Sequence, residues 1–250
     1  QLERRRERAR KSLAMGVLEL AEGRCETAEN TVVRYVRDSA HPVAHYLVAA
    51  RAAELQGAVQ RRDEWLARAL DTPTGSYAPA LIMQAEMLLK HKQLQAAQTA
   101  LEQLELRDEQ NARGLLLLAR IYRQTGNWQK LQELEPRLRT TKGIDTSVAD
   151  ETVAQIYLDR LKAAGASSDS DALRSAWKSM PRSLTKRTDI VVAYARAAIA
   201  CRESDVAEKE LRDLLNAQWD EAAVTVYGEL ETSVPLQTLE RAEGWLPVHS

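Results

Sequence analysis

One spacing constrains this chain more than any other feature. Four segments, LAEGRCETAE, ELQGAVQRRD, LKHKQLQAAQ and RQTGNWQKLQ, align with Gly23, Gly57, Lys92 and Gly126 at a common position, in steps of 34, 35 and 34 residues. Seven residues before each stands a small side chain (Gly16, Ala50, Ala85, Ala119), and five after stand Ala28, Arg62, Ala97 and Leu131. A unit of this length holds two helices and a turn, and it cannot bury its apolar face alone, so neighbouring units must stack. Small residues let the two helices approach closely, and glycine ends the first of them by accepting a positive φ. The apolar residue two after the turn (Cys25, Val59, Leu94, Trp128) is expected to pack into the hairpin. Two sites depart from the pattern. Arg62 stands where alanine is preferred, and Lys92 replaces glycine, so the third turn is expected to end without a glycine cap.

The spacing resembles that of the tetratricopeptide repeat (TPR), a helix–turn–helix unit. Ten glycines, seven prolines and no Phe in 250 residues, with Ala, Leu, Gln, Glu and Arg abundant, favour helix throughout. The Val-rich pieces TVVRYV and DIVVAY fit helical spacing better than strand alternation. The fold class read here is all-α: a TPR-like α-solenoid of about seven helical hairpins in a right-handed superhelix. Residues 1–145 hold four regular hairpins with a basic start at 1–11, and 146–250 hold three divergent ones continuing the same solenoid. In the second part ADETVAQIYLDRLKAAG reads as a helix, GASSDSD as a loop ending in N-caps, and DALRSAWKSM as the partner helix. DIVVAYARAAIACRESDVAEKELRDLL restores the pattern, with Ala195 and Ala207 at the small positions. DEAAVTVYGEL and PLQTLERAEGWL form a last pair, and WLPVHS is expected to lead into a further hairpin.

Several chemistries are excluded at this level. No two glycines lie closer than Gly16 and Gly23, so neither a dinucleotide fingerprint nor a phosphate loop is present. GxSxG and HExxH are absent. The two cysteines, Cys25 and Cys201, form no CxxC and fit small apolar sites near turns; they favour a reducing compartment. In HPVAH, His41 and His45 have a metal-like spacing, but Pro42 suits the first helical position, which makes His41 an N-cap outside the helix. No metal site is expected. The five tryptophans (Trp65, Trp128, Trp177, Trp219, Trp245) lie on different helices and read as core. No run of about 18 apolar residues exists to cross a bilayer, and no secretory leader is visible.

Two surfaces remain as candidates for binding. In each hairpin the first helix is expected to line a groove, and its exposed residues there are Arg51, Glu86, Arg120 and Arg196, with Arg123 one turn beyond Arg120. Arginines in a groove suit bidentate capture of carboxylates. The second surface is the start, QLERRRERARK, where Arg4, Arg5, Arg6, Arg8, Arg10 and Lys11 outnumber two glutamates in a chain of net charge −1. With the remainder acidic, a nucleic-acid footprint is not expected.

The segments ERARKSLAMGVLELAEGRCETAE, YLVAARAAELQGAVQRRDEWLARAL, RIYRQTGNWQKLQEL, LRSAWKSMPRSLTKRTDIVVAYARAAIAC and LERAEGWL resemble the proteobacterial HemY family, along essentially the whole chain. The resemblance implies a TPR protein of the bacterial inner membrane, associated with haem biosynthesis. It implies a transmembrane hairpin ahead of the basic segment, and this domain on the cytoplasmic side. A flavin enzyme of other bacteria shares the family's name; the glycine spacing excludes it here. No catalytic residue is implied, and no cofactor, although haem or porphyrin stays open as a ligand. Three functions compete: a non-enzymatic scaffold or regulator binding haem-pathway proteins, a direct haem or porphyrin binder, and a generic adaptor for envelope assembly. Placed beside a membrane span, the basic segment favours the cytoplasmic side and attracts anionic lipid.

Overall fold

The computed structural model describes residues 1–73 and 77–249, with the backbone alone for 246–249. The expectation attached to WLPVHS therefore lies partly outside the described residues. Fourteen α-helices and no strand occur among the described residues, as the composition requires. The chain divides into two compact units, Gln1–Ile121 with Thr140–Gly143, and Tyr122–Arg139 with Ile144 onward. The first holds α1 (Leu2–Ala21), α2 (Cys25–Val33), a 3-10 turn (Val36–Asp38), α3 (Pro42–Leu55), α4 (Val59–Leu70), α5 (Tyr77–Lys90) and α6 (Leu94–Glu105). α7 (Ala112–Thr125) begins in the first unit and ends in the second. Then come α8 (Trp128–Thr140), α9 (Thr146–Ser167), α10 (Ser170–Ser179), α11 (Thr188–Ala200), α12 (Ser204–Ala217), α13 (Glu221–Gly228) and α14 (Pro235–His249).

The recurring turn is a single backbone motif. Gly23, Gly57 and Gly126 have φ of 80°, 71° and 67°. At Gly57 the amide donates to Glu54 O (3.1 Å), and the next amide, Ala58, donates to Ala53 O (2.9 Å). These two bonds satisfy carbonyls that a helix end would leave open. Lys92, where no glycine caps the turn, adopts the same conformation at φ 60°, with Lys92 N to Leu89 O at 3.0 Å and Gln93 N to Leu88 O at 2.9 Å. A lysine pays for the left-handed region sterically, by about 1–2 kcal/mol. Part of that returns through the greater freedom of glycine in the unfolded chain. Lys92→Gly is therefore expected to stabilise the protein by about 0.5–1 kcal/mol, read as a rise in urea midpoint with unchanged slope.

The same motif occurs twice more without any glycine. Ser168 (φ 53°) and Arg202 (φ 59°) make the paired bonds, to Gly165 O and Ile199 O, and lie 34 residues apart. Leu161 and Ala195 stand seven before them, Leu173 and Ala207 five after, and all four are fully buried. This corrects the loop expected at GASSDSD. α9 runs through Ser167, and only Ser168 and Asp169 interrupt the helices, with Asp169 Oδ1 accepting from Ala172 N at 2.9 Å. Gly165 serves packing rather than turning: a Cβ there would come within 3.0 Å of Ala197 Cα, so α9 and α11 touch almost backbone to backbone.

The small positions are buried throughout, as expected. Arg62 is buried as well, at 3 % exposure, and a partner explains it. Its guanidinium meets Glu54 Oε2 at 3.0 Å and Asp63 Oδ1 at 2.7 Å, while Lys90 and His91 reach Glu54 Oε1 at 3.2 and 2.9 Å. One buried carboxylate thus ties α3, α4 and the end of α5. Two similar hubs exist: Glu29, bonded by Gln56, Arg61 and Trp65, and Glu208, bonded by Arg212, Tyr227 and Arg241.

One packing expectation needs correction. Val59 is 48 % exposed, whereas Cys25, Leu94 and Trp128 at the equivalent positions are half-buried. The tryptophans are half-buried at the margin of the core, with Trp65, Trp177, Trp219 and Trp245 packed against it. Each has an indole N–H to keep satisfied, which favours the edge of a core over its centre. Trp65 donates to Glu29 at 2.8 Å, and Trp245 donates to Asn216 at 3.1 Å.

Candidate functional site

In the second unit α9 and α11 lie side by side, and their outer faces enclose a cleft of about 540 Å³. Small residues create it: Ala193, Ala197 and Ala200 recur along one face of α11, opposite Gly165 on α9. Leu158 and Val192 make its apolar wall. Three charged side chains border it: Lys162, Arg196 and Asp189. Asp189 is already neutralised, with Arg187 donating to its two oxygens at 3.0 and 2.7 Å, and this bonding holds its carboxyl below the usual range. Lys162 and Arg196 are exposed and make no hydrogen bond or ion pair among the described residues. An apolar cleft with two uncommitted cations is suited to a ligand that is apolar and carries an anionic group.

Of the residues predicted from sequence, Arg196 is the one in this cleft. Arg51 and Arg120 are exposed on α3 and α7 and carry no ion pair among the described residues. Glu86 is held by Arg113, whose Nε and Nη2 donate to it at 2.8 and 2.6 Å. Arg123 donates to Asp159 at 2.8 Å and borders a shallower depression of about 310 Å³ with Val148, Glu151 and Gln155. Both of these are spent on internal pairs. Arg4, Arg5, Arg6, Arg8, Arg10 and Lys11 are all exposed on α1, where Glu7 faces Arg10 at 3.8 Å and Lys11 at 3.6 Å.

Lys162 is not among the groove residues expected from sequence, and only the structure's turn at Ser168 reveals its register. Arg51, Glu86, Arg120 and Arg196 each stand six residues before a left-handed turn residue, and Lys162 stands six before Ser168. Without a glycine at 168 the position was not recognisable.

The two histidines part company. His41 is the exposed N-cap of α3 with Pro42 in its first turn. His45 is fully buried, and its Nδ1 donates to Val32 O at 2.7 Å. Burial pushes the His45 pKa down, against the pull of that bond. No group of three potential metal ligands occurs among the described residues.

Comparison with known proteins bears on this arrangement. Residues 1–57, which cover α1, α2, α3 and the turn at Gly57, match the family model described as HemY protein N-terminus. Protein HemY of Escherichia coli (strain K12) is 27 % identical over 234 residues, which is 94 % of this chain. These matches support a HemY-family protein. Protein HemY of Escherichia coli O157:H7 and of Shigella flexneri give the same identity and coverage. The chain spans 59 % of the length of these HemY relatives. No described helix is long and apolar enough to cross a membrane.

Proposed function

We propose that this chain is a non-enzymatic repeat scaffold, a TPR-like α-solenoid of about seven hairpins that holds proteins of haem biosynthesis together. The observation that carries the reading is the pairing of Lys162 and Arg196 on an apolar cleft, at equivalent positions of two turn-linked helix pairs. Such a cleft accepts an apolar segment ending in, or interrupted by, a carboxylate. The six identical turns support a stacked architecture, since each hairpin of this length exposes a face that only a neighbour covers. The link to haem biosynthesis, the bacterial inner membrane and the cytoplasmic side rest on the HemY resemblance and on the basic start of α1.

Crosslinking of the full-length protein in cells, followed by identification of what is captured, tests this. Enzymes of the porphyrin pathway are expected; capture of envelope-assembly factors instead would point to a general adaptor. The same cleft favours a second reading, a direct haem or porphyrin site, because propionates match two cations beside an apolar wall. Adding haem to the purified chain separates them. Saturable binding with a shifted Soret band, lost in Lys162→Glu/Arg196→Glu, would establish the porphyrin reading. No saturation at micromolar haem leaves the scaffold.

A further inference from the structure

The first hairpin carries a second cleft, unrelated to the one above. α1 and α2 run antiparallel, fastened where Ser12 Oγ donates to Thr31 O at 2.6 Å. Beside that bond their surfaces enclose about 580 Å³. Arg8 and Lys11 from α1 and Arg34, the C-cap residue of α2, border it, together with Thr27 and Asn30. Arg8 and Arg34 make no hydrogen bond or ion pair among the described residues, and Lys11 has only the 3.6 Å approach to Glu7. One carboxylate, Glu26, faces the same space, and it too is unpaired. Three bordering cations against one acid leave a local excess of two positive charges beside hydrogen-bonding side chains.

The stripe continues in a different character. Arg8, Lys11, Met15 and Leu18 follow one another at helical spacing along α1, and Met15 and Leu18 are 53 % and 58 % exposed. A helix face that is cationic at one end and apolar at the other matches an amphiphile lying along it.

We infer that the α1–α2 cleft is a phosphate-binding site that seats the headgroup of an anionic phospholipid, with Met15 and Leu18 against its acyl region. An acidic peptide would use the cations and leave the two apolar side chains uncovered. The inference stands on the charge and shape of this cleft and is independent of the scaffold reading.

The test is co-sedimentation of the full chain with phosphatidylcholine vesicles, with and without phosphatidylglycerol. Binding is expected only with the anionic lipid. Arg8→Gln/Lys11→Gln/Arg34→Gln is expected to weaken it by roughly 100-fold, at about fivefold for each cation at the surface. Arg4→Gln/Arg5→Gln/Arg6→Gln removes the same charge from the same helix outside the cleft, and is expected to weaken it at least about tenfold less. Glu26→Gln, which only removes repulsion, is expected to tighten binding several-fold, and it guards against loss through misfolding. Equal losses in the two triple variants would mean diffuse attraction and overturn the site. Saturable binding of inorganic phosphate or of a polyglutamate peptide, without vesicle binding, would overturn the lipid assignment.

Discussion

Replacing Glu54 by alanine is expected to cost about 3–5 kcal/mol of stability, the range for breaking a buried ion pair by removing one partner. The carboxylate is almost wholly buried and is reached by Arg62, Lys90 and His91. Without it the Arg62 guanidinium stays in the interior, where it keeps only Asp63. Glu54→Met/Arg62→Leu is expected to recover most of the loss, because two apolar side chains carry no desolvation penalty. Urea denaturation of the single and double variants checks this. The pH dependence has a defined sign. Burial by itself would raise the Glu54 carboxyl, but the bonds from Arg62, His91 and Lys90 outweigh it and hold the group below its ordinary 4.5. Glu29 is depressed in the same way, by Trp65, Gln56 and Arg61 against its burial. A depressed carboxyl contributes stability above its unfolded value, and that contribution is lost as pH falls through the folded one. Stability from these two hubs should therefore hold above pH 4.5 and drop below it, less steeply in Glu54→Gln.

Gly16→Leu is expected to destabilise the first unit by about 3 kcal/mol, the upper part of the range for overpacking. Even a single Cβ at Gly16 would overlap Val32 Cγ1 and sit 3.3 Å from the Ala28 carbonyl oxygen. The opposing effect is helix propensity, where leaving glycine gains about 1 kcal/mol at most. Steric overlap wins. Val32 is β-branched and fully buried, so it has little room to turn away. Gly16→Ala should therefore show a smaller loss that Val32→Ala partly reverses, whereas Val32→Ala alone only creates a cavity. Melting temperatures of the four proteins decide it.

The legible part of the fold is where the sequence spends a special residue on a special backbone. Gly23, Gly57 and Gly126 mark left-handed turns because glycine reaches that region without penalty. Lys92 was recognisable by spacing alone. Arg202 is legible in the same way, through Ala195 and Ala207, but Ser168 is not, since nothing in the side chain of serine advertises a positive φ. Without a glycine at 168 the sequence places the end of α9 at Gly165, two residues early, and does not set Lys162 beside Arg196. The burial of Arg62 was illegible for a different reason. Its charge is answered by Glu54, and that carboxylate's other partners, Lys90 and His91, come from a different helix pair. The exposure of a groove residue was legible, but its freedom was not: Glu86 and Arg123 are occupied by Arg113 and Asp159, while Arg51, Arg120 and Arg196 are unpaired.

Recovery of partners by the Lys162→Glu/Arg196→Glu protein tests the central claim most directly. Full-length wild-type and variant proteins, matched for expression and thermal stability, are to be isolated from cells after crosslinking, and porphyrin-pathway enzymes quantified in each. Both side chains are exposed and unpaired, so reversal leaves the fold intact. The account predicts at least about a tenfold loss of those enzymes, because two attractive contacts to a carboxylate become two repulsive ones. Equal recovery from the two proteins would contradict it.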